Sequence, residues 1–374
     1  MKLGRRGWLL GAALLLALPL LTDLGLGRSW VRLLDFALLY TMLALGLNIV
    51  VGYAGLLDLG YVAFYAVGAY LYAILASPQF ALHWPLWALL PVGALVAASV
   101  GALLGAPTLG LRGDYLAIVT MGFGEIIRIF MRNLTPLTGG PAGIDGIDAL
   151  AVGSFSFADT HRLLGWSLPG LYSYYFLFLA LTALIVLMSR RLEDSRIGRA
   201  WAAIREDEVA ARSMGLNTRN LKLLAFSMGA TFGGISGVLF AGFQGFVSPE
   251  SFTMGESVMI LCMVVLGGMG HIYGVILGAL LLAILPEAFR PLAQLQQSAL
   301  GQVWLDPANL RMLLFAIALV AVMVLRPEGL WPSPVRRREL HTPRGGEPGP
   351  GDDGDSDDEG ADGELPAAAG GATP

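Results

Sequence analysis

Residues 171–188 read LYSYYFLFLALTALIVLM, a run that contains no charged side chain. A helix needs roughly 20 largely apolar residues to cross the hydrocarbon core of a bilayer. The run is followed closely by Arg190 and Arg191, and basic residues beside a span are enriched on the cytoplasmic side of a membrane. This stretch therefore predicts a membrane-spanning helix whose C-terminal end lies in the cytoplasm.

Apolar runs of this kind cover most of the chain. Hydrophobic residues make up 55% of the 374 residues and charged residues only 14%, whereas soluble domains carry about 25% charged residues. The sequence predicts an all-α integral membrane fold, a bundle of roughly ten spanning helices. The candidate spans lie near residues 8–22, 31–51, 54–76, 86–106, 114–131, 171–188, 222–243, 256–267, 271–286 and 309–326.

Two of these assignments leave alternatives open. The first run follows Lys2, Arg5 and Arg6, so it is either a span or a cleaved signal peptide. The eighth and ninth runs are short and flank the turn-forming sequence GGMGH at residues 267–271. They form either two short spans, a re-entrant pair or one helix broken by glycine.

Basic residues cluster at the N-terminus, in the central loop (residues 189–221) and after the last run. A count of ten spans places all three clusters on the same side, which the positive-inside rule identifies as the cytoplasm. Both chain termini are then cytoplasmic, and the loop at residues 133–170 lies outside. The basic residues after the first cluster are Arg190, Arg191, Arg196, Arg199, Arg205, Arg212, Arg219, Lys222, Arg326, Arg336, Arg337 and Arg338.

Composition divides the chain into three parts. Residues 1–30 form an N-terminal segment with the first span, and residues 31–332 form the membrane domain that contains the central loop. Residues 333–374 are rich in glycine, proline and acidic residues, and such a segment cannot bury enough apolar surface to fold. We predict that this acidic tail is disordered.

The sequence lacks the patterns of an enzyme. Cys262 is the single cysteine, and the four histidines show no metal-ligand spacing. Lys2 and Lys222 are the only lysines, and neither follows the glycines of a phosphate-binding loop. We therefore expect no catalytic residue, cofactor, metal or nucleic acid, and any ATP must be bound by another chain.

The central loop contains the sequence GRAWAAIREDEVAARSMGL at residues 198–216. Its apolar and charged residues alternate in the manner of a short amphipathic helix, which Gly215 would end. A connection between two spans needs only a few residues, so a helix here is expected to dock onto something. It binds either a protein partner or the anionic surface of the membrane.

Charges within candidate spans are costly and are functional candidates by default, and we single out Asp58, Glu125 and Arg128. Glu125 and Arg128 are three residues apart and share a helix face. They either neutralise each other or line a polar path. Asp58 either caps or braces the start of the third span or belongs to the same path.

Several stretches, in this order, resemble the membrane subunits of ATP-driven importers for branched-chain amino acids, the LivM-like permeases. They read GLLDLGYVAFYAVGAYL at 55–71, LRGDYLAIVTMGFGEIIRIF at 111–130, TGGPAGID at 138–145, VLGGMGH at 265–271, LPE at 285–287 and RPEGL at 326–330. The resemblance runs from about residue 33 to residue 332 and implies the ten-span bundle of the larger type of ABC importer.

The resemblance also implies function and partners. The chain would be a multi-pass permease of the bacterial inner membrane that moves Leu, Ile or Val by alternating access. Its partners would be the lipid bilayer, a second homologous permease subunit, two cytoplasmic ATP-binding subunits and an extracytoplasmic amino-acid binding protein. Glu125, Arg128 and Asp58 would be pathway candidates.

The resemblance assigns coupling to the ATPase to the central loop. Importer permeases carry an E-A-A-x-x-x-G motif there, and Ala210, Ala211 and Gly215 match its A-A-x-x-x-G part. Glu208 stands one residue before the glutamate position, which Val209 occupies. The implied coupling residues are these three together with Glu208 and Arg205.

Other functions remain open on the sequence alone. The same architecture is associated with urea, short amides and other amino acids. A stand-alone secondary transporter or channel would work without ATPase subunits, and a membrane scaffold would need no polar residues within its spans.

Overall fold

In a computed structural model, the chain is described at residues 15–23, 25, 27–80, 82–108, 110–111, 113–153, 155–163, 166–288, 320 and 330. Within these ranges it is mostly helical, which confirms the predicted helical class. The acidic tail at 333–374 lies outside the described residues, as does the last candidate span at 309–326 apart from one residue.

Every candidate span up to residue 288 contains a helix in its described part, which for the first span is residues 15–22. The third candidate span, 54–76, is helical only from Val62 to Leu75, and its residues 54–61 form an irregular connection instead of helix. The longer helices are α1 (Arg28–Asn48), which continues as a π-helical segment (Ile49–Tyr53), α2 (Val62–Leu75), α3 (Leu86–Thr108), α4 (Asp114–Asn133), α5 (Gly170–Glu193), α6 (Arg196–Glu206), α7 (Glu208–Ser213), α8 (Thr218–Gln244), α9 (Met254–Gly267) and α10 (Ile272–Ala288). Shorter turns lie at Thr135–Thr138, Gly140–Ala142 and Pro249–Ser251.

Five helices in the described ranges are long and apolar enough to cross a bilayer: α1 with its π-helical segment, α3, α5, α8, and α9 with the preceding turn. The apolar helices α2 and α10 are shorter. Helix α4 has the length, at 20 residues, but carries Asp114, Glu125, Arg128 and Arg132. These helices make the chain a multi-pass membrane protein.

The centre of the bundle is formed by α1 and α8. Helix α1 packs against α5, α8, α9 and α10, and α8 packs against α2 and α3. Glycine allows the closest approach: a Cβ atom at Gly68 of α2 would lie 2.1 Å from the carbonyl oxygen of Gly234 in α8. Small residues let helices approach in lipid, where no hydrophobic effect drives their association.

The short eighth and ninth runs form a hairpin of two separate helices, α9 and α10. Between them Gly268 and Gly270 adopt positive φ angles of 112° and 83°, which favour glycine. The helices touch closely, since a Cβ atom at Gly278 would lie 2.2 Å from the carbonyl oxygen of Met263. The alternative of a single broken helix is therefore wrong.

Short strands add a small β component that the sequence analysis did not predict. Strand β1 (Ile144–Asp145) pairs antiparallel with β6 (Phe246–Val247), so the α4–α5 loop is attached to the chain just beyond α8. Two hairpins lie within the same loop: β2 (Ala151–Val152) with β3 (Phe155–Ser156), and β4 (His161–Leu163) with β5 (Trp166–Leu168).

Candidate functional site

The central loop folds into two helices, α6 and α7, where the sequence pattern predicted one. Asp207 breaks the helix, with extended backbone at φ −152°. Its Oδ1 atom accepts hydrogen bonds from the backbone N–H groups of Val209 and Ala210, which makes it the N-cap of α7. Gly215 follows α7 with φ +87°, as predicted for a residue that ends a helix.

The apolar side of α6 and α7 packs onto the bundle. The Trp201 ring is fully buried, and its Nε1 atom donates a hydrogen bond of 2.7 Å to the carbonyl oxygen of Leu221. Ile204 and Ala211 are buried on the same side. The amphipathic pattern therefore reflects docking onto the protein itself.

An ion pair joins α7 to α8. The Nζ atom of Lys222 lies 2.8 Å from Oε1 of Glu208, and the two side chains are only 5% and 14% exposed. Arg212 contacts the same carboxylate at 3.3 Å. Glu208, a predicted coupling residue, is thus engaged with its own bundle.

Arg205 also points into the protein. Its Nη1 atom donates a hydrogen bond of 2.8 Å to the carbonyl oxygen of Gly52, at the end of α1. Its side chain packs over Gly55, where an added Cβ atom would lie 2.7 Å from Cγ of Arg205. Arg205 thus attaches α6 to the end of α1 and to the segment that follows it.

The opposite side of α7 is open. We call Val209, Ala210, Met214 and Gly215 the docking face. All four are exposed, Val209 by 59% and Met214 by 84%. The predicted coupling residues are therefore divided: Ala210 and Gly215 lie on this face, whereas Arg205, Glu208 and Ala211 hold the central loop against the bundle.

Asp58 lies in the connection between α1 and α2 and is fully buried. Its Oδ1 atom accepts a hydrogen bond of 2.9 Å from the N–H group of Gly60, the local bond of an Asx-turn. The backbone of the next residue, Leu59, donates to Oγ1 of Thr120 in α4. Asp58 thus braces the turn that holds this connection against α4.

Glu125 and Arg128 form the ion pair that their spacing predicted. The Nη2 atom of Arg128 lies 2.6 Å from Oε1 of Glu125. Arg128 also contacts Glu250, which follows α8, at 3.3 Å. The Arg128 side chain is 21% exposed and that of Glu125 is 43% exposed. Glu250 completes a carboxylate–guanidinium–carboxylate group that the sequence analysis missed.

Helix α4, which carries Glu125 and Arg128, buries few of its side chains against the rest of the described chain. Of the residues in α4, only Leu116, Ala117, Thr120 and Gly124 are buried. Large apolar side chains are exposed along the rest of the helix: Tyr115, Ile118, Val119, Met121, Ile126, Ile129 and Phe130. We call this exposed surface of α4, together with Gly122 and the Glu125–Arg128–Glu250 group, the α4 face.

A buried carboxylate in α1 also escaped the sequence analysis. Asp35 is fully buried, and neither carboxylate oxygen has a hydrogen-bond partner within the described part of the chain. One turn earlier, Arg32 donates to Oε1 of Gln244 in α8. The missed signal was an acidic residue inside the candidate span at 31–51, which marks a functional candidate by default.

Known proteins are similar in sequence to this chain over most of its length. The family model described as "Branched-chain amino acid transport system / permease component" matches residues 29–323. The high-affinity branched-chain amino acid transport system permease protein LivM of Escherichia coli (strain K12) is 43% identical over 333 residues, which cover 85% of this chain and 73% of that protein. LivM of Salmonella typhimurium is 43% identical over 320 residues, covering 82% and 70%.

A second type of permease protein matches at a greater distance. The high-affinity branched-chain amino acid transport system permease protein LivH of Escherichia coli (strain K12) is 27% identical over 303 residues, which cover 78% of this chain and 90% of that protein. No solved structure matches the chain.

Proposed function

The chain belongs to the family of permease components of branched-chain amino acid transport systems, and we propose that it is the membrane-spanning permease subunit of an ATP-driven importer for leucine, isoleucine and valine. The observation that carries this proposal is the 43% identity to LivM over 85% of the chain. The subunit itself moves solute and performs no covalent chemistry.

The importer contains a second permease subunit. In Escherichia coli (strain K12), LivM and LivH are both named as permease proteins of a high-affinity branched-chain amino acid transport system. The α4 face is a surface of the described chain that suits such a partner, because it is largely apolar and little packed and carries the Glu125–Arg128 pair. Two cytoplasmic ATP-binding subunits and an extracytoplasmic binding protein complete the assembly.

The ten-span topology with both termini in the cytoplasm follows from the basic clusters. It places the central loop in the cytoplasm of a bacterial cell, with the docking face turned towards an ATPase subunit. Arg205, Glu208 and Ala211 seat the loop, and Val209, Ala210, Met214 and Gly215 contact the ATPase. Movement of the ATPase subunits then drives alternating access of the bundle.

The Glu125–Arg128–Glu250 group suits a zwitterionic solute. An amino acid carries an ammonium and a carboxylate group, and the α4 face offers both a guanidinium and carboxylates. We assign Glu125 and Arg128 to the path between the two permease subunits. Asp58 serves the path indirectly by fixing the α1–α2 connection against α4.

Reconstitution tests the proposal. The chain is co-expressed with the proposed ATP-binding subunits, second permease subunit and binding protein, and uptake of labelled leucine into proteoliposomes is measured. We expect uptake that requires ATP and is inhibited by isoleucine and valine but not by urea. Uptake that is independent of ATP indicates a secondary transporter or channel, and inhibition by urea alone indicates the other substrate class.

The same preparation tests the docking face. Met214→Arg places a charge on this face without disturbing packing, because the side chain is 84% exposed. We expect loss of the ATPase from the purified complex. The matched control, Val152→Arg, introduces the same positive charge at an exposed residue of the α4–α5 loop. We expect this variant to retain the ATPase. Retention in both variants overturns the assignment of the docking face.

A further inference from the structure

The C-terminal end of α1 receives a cap from another part of the chain. The last carbonyl groups of a helix have no partner within it and carry the negative end of its dipole. At the end of α1, the carbonyl oxygen of Gly52 accepts a hydrogen bond of 2.8 Å from Nη1 of Arg205 in α6. A cationic donor from the central loop thus caps a central helix of the bundle.

The turn between α9 and α10 meets α1 at the same place. The N–H group of Gly270 donates a hydrogen bond of 2.8 Å to Oδ1 of Asn48, a buried residue of α1. A Cβ atom at Gly52 would lie 2.6 Å from that N–H nitrogen, and one at Gly270 would lie 3.3 Å from Nη1 of Arg205. Two backbone segments, the end of α1 and the α9–α10 turn, therefore meet beside the Arg205 guanidinium group.

The α1 backbone is irregular at this point. Residues Ile49–Tyr53 are π-helical, a conformation that is rare and often found at functional sites. A pocket of about 110 Å³ lies beside the contact, lined by Arg205, Glu208 and Lys222 among others. The guanidinium group therefore has space on one side and backbone on the other.

From this geometry we propose that Arg205 is a positioning residue that passes movement of α6 and α7 to α1 and the α9–α10 turn. The inference rests on the proposed function, since it needs an ATPase that moves the central loop. In this proposal Arg205 acts inside the permease and does not contact the ATPase directly.

Neighbouring arginines of the central loop do not make this connection. Arg199 donates to the carbonyl oxygen of Asp194, and Arg212 contacts Glu208, so each stays close to its own segment. Arginine suits the position because its planar group offers several donors in a fixed arrangement, whereas lysine is a point charge on a flexible chain. A lysine at 205 can reach the carbonyl oxygen of Gly52 but has no planar group to lie beside Gly270.

The test compares Arg205→Ala, Arg205→Lys and the control Arg199→Ala in the reconstituted importer. We expect all three to keep the ATPase in the purified complex. In Arg205→Ala, leucine uptake and the stimulation of ATP hydrolysis by the binding protein both fall at least about fivefold, a typical coupling between sites. Arg205→Lys recovers part of both activities, and Arg199→Ala resembles the unmodified chain.

A spectroscopic measurement separates transmission from simple stability. Nitroxide labels are placed at the exposed residues Ala202 in α6 or Tyr273 in α10, with Cys262 replaced by serine. Without the Arg205 substitution, we expect trapping with ATP and vanadate to change the spectra of both labels. With Arg205→Ala, the label at 202 still responds and the label at 273 no longer does.

Each outcome decides between the alternatives. If Arg205→Ala releases the ATPase, Arg205 either contacts that subunit directly or only holds the docking face in place, and the inference is wrong. If both labels respond as in the unmodified chain, transmission follows another route and the inference is equally wrong. If the unmodified chain itself retains no ATPase, the proposed function fails, which is distinguishable from either result.

Discussion

Two charged groups at different places in the protein differ in how they are enclosed. Glu208 and Lys222 form a pair that is nearly shielded from its surroundings, joining α7 to α8. Glu125, Arg128 and Glu250 form a group on the α4 face, with carboxylates about half exposed. Both groups contain short contacts between opposite charges, yet only the first is closed by the chain itself.

The difference in burial indicates different roles. Removing one member of a buried pair leaves the other charge without solvent or partner, so such a pair holds its two elements in a fixed relation. An exposed pair contributes little to stability and can exchange partners at low cost. The buried pair therefore belongs to the seating of the central loop, and the exposed group belongs to a surface that another molecule completes.

Glu208→Ala gives the largest expected effect, because it leaves the Lys222 ammonium buried and unpaired. We expect the free energy of unfolding to fall by about 3–5 kcal/mol. Denaturant titration of the purified chain in detergent measures this loss. The ATPase should also be lost from the complex, because α7 no longer presents the docking face.

Two variants accompany this measurement. Glu206→Ala removes an exposed carboxylate two residues away and should change the unfolding free energy by less than about 0.5 kcal/mol. The double replacement Glu208→Leu with Lys222→Met removes both charges and should recover most of the stability. A single Glu208→Ala variant as stable as the Glu206→Ala control would show that the pair does not hold α7.

The two regions also differ in how tightly their helices pack, and glycine substitutions should reveal this difference with an intermediate effect on stability. Gly68→Ala places a Cβ atom 2.1 Å from the backbone of α8 and should lower the unfolding free energy by about 1–3 kcal/mol. The matched variant Gly122→Ala lies on the α4 face, where no atom lies within 4 Å of the added group. It should raise stability by about 0.5–1 kcal/mol through helix propensity.

The two glycine variants are compared by denaturant titration of the isolated chain and then in the assembled importer. If Gly122→Ala destabilises the isolated chain as much as Gly68→Ala, the α4 face is packed within the chain and the comparison between the two regions fails. Weakened binding of the second permease subunit by Gly122→Ala alone would place that subunit against α4.

Arg128→Ala should have the smallest effect on stability and a clear effect on transport. Because the carboxylates that it contacts are about half exposed, the unfolding free energy should change by less than about 1 kcal/mol. Leucine uptake should fall while the ATPase stays bound. Arg132→Ala, which removes a neighbouring arginine 4.0 Å from Glu250, provides the control with near-normal uptake. Equal uptake in the two variants would remove Arg128 from the path.

Local features of the chain were predictable from the sequence. Apolar run length identified the helices, and the three-residue spacing of Glu125 and Arg128 predicted their pairing because neighbours on a helix face are set by helix geometry alone.

Features that depend on tertiary packing were not predictable in this way. The direction of Arg205 depends on where α1 ends in space, and Glu208 meets Lys222 only because α7 folds back along α8. The break at Asp207 was not predicted because the amphipathic pattern continues through this residue, although an aspartate can cap a helix such as α7. The sequence gives no sign that Glu250, far from α4 in the chain, joins Arg128.

Helix α8 reaches from one of these regions towards the other. It has 27 residues, a length of about 40 Å. Near its first turn Lys222 forms an ion pair with Glu208 of α7. Just beyond its last turn, strand β6 pairs with strand β1 of the α4–α5 loop. Because both ends of α8 are attached to other parts of the chain, we expect a displacement of α7 to be passed along α8 to the α4–α5 loop.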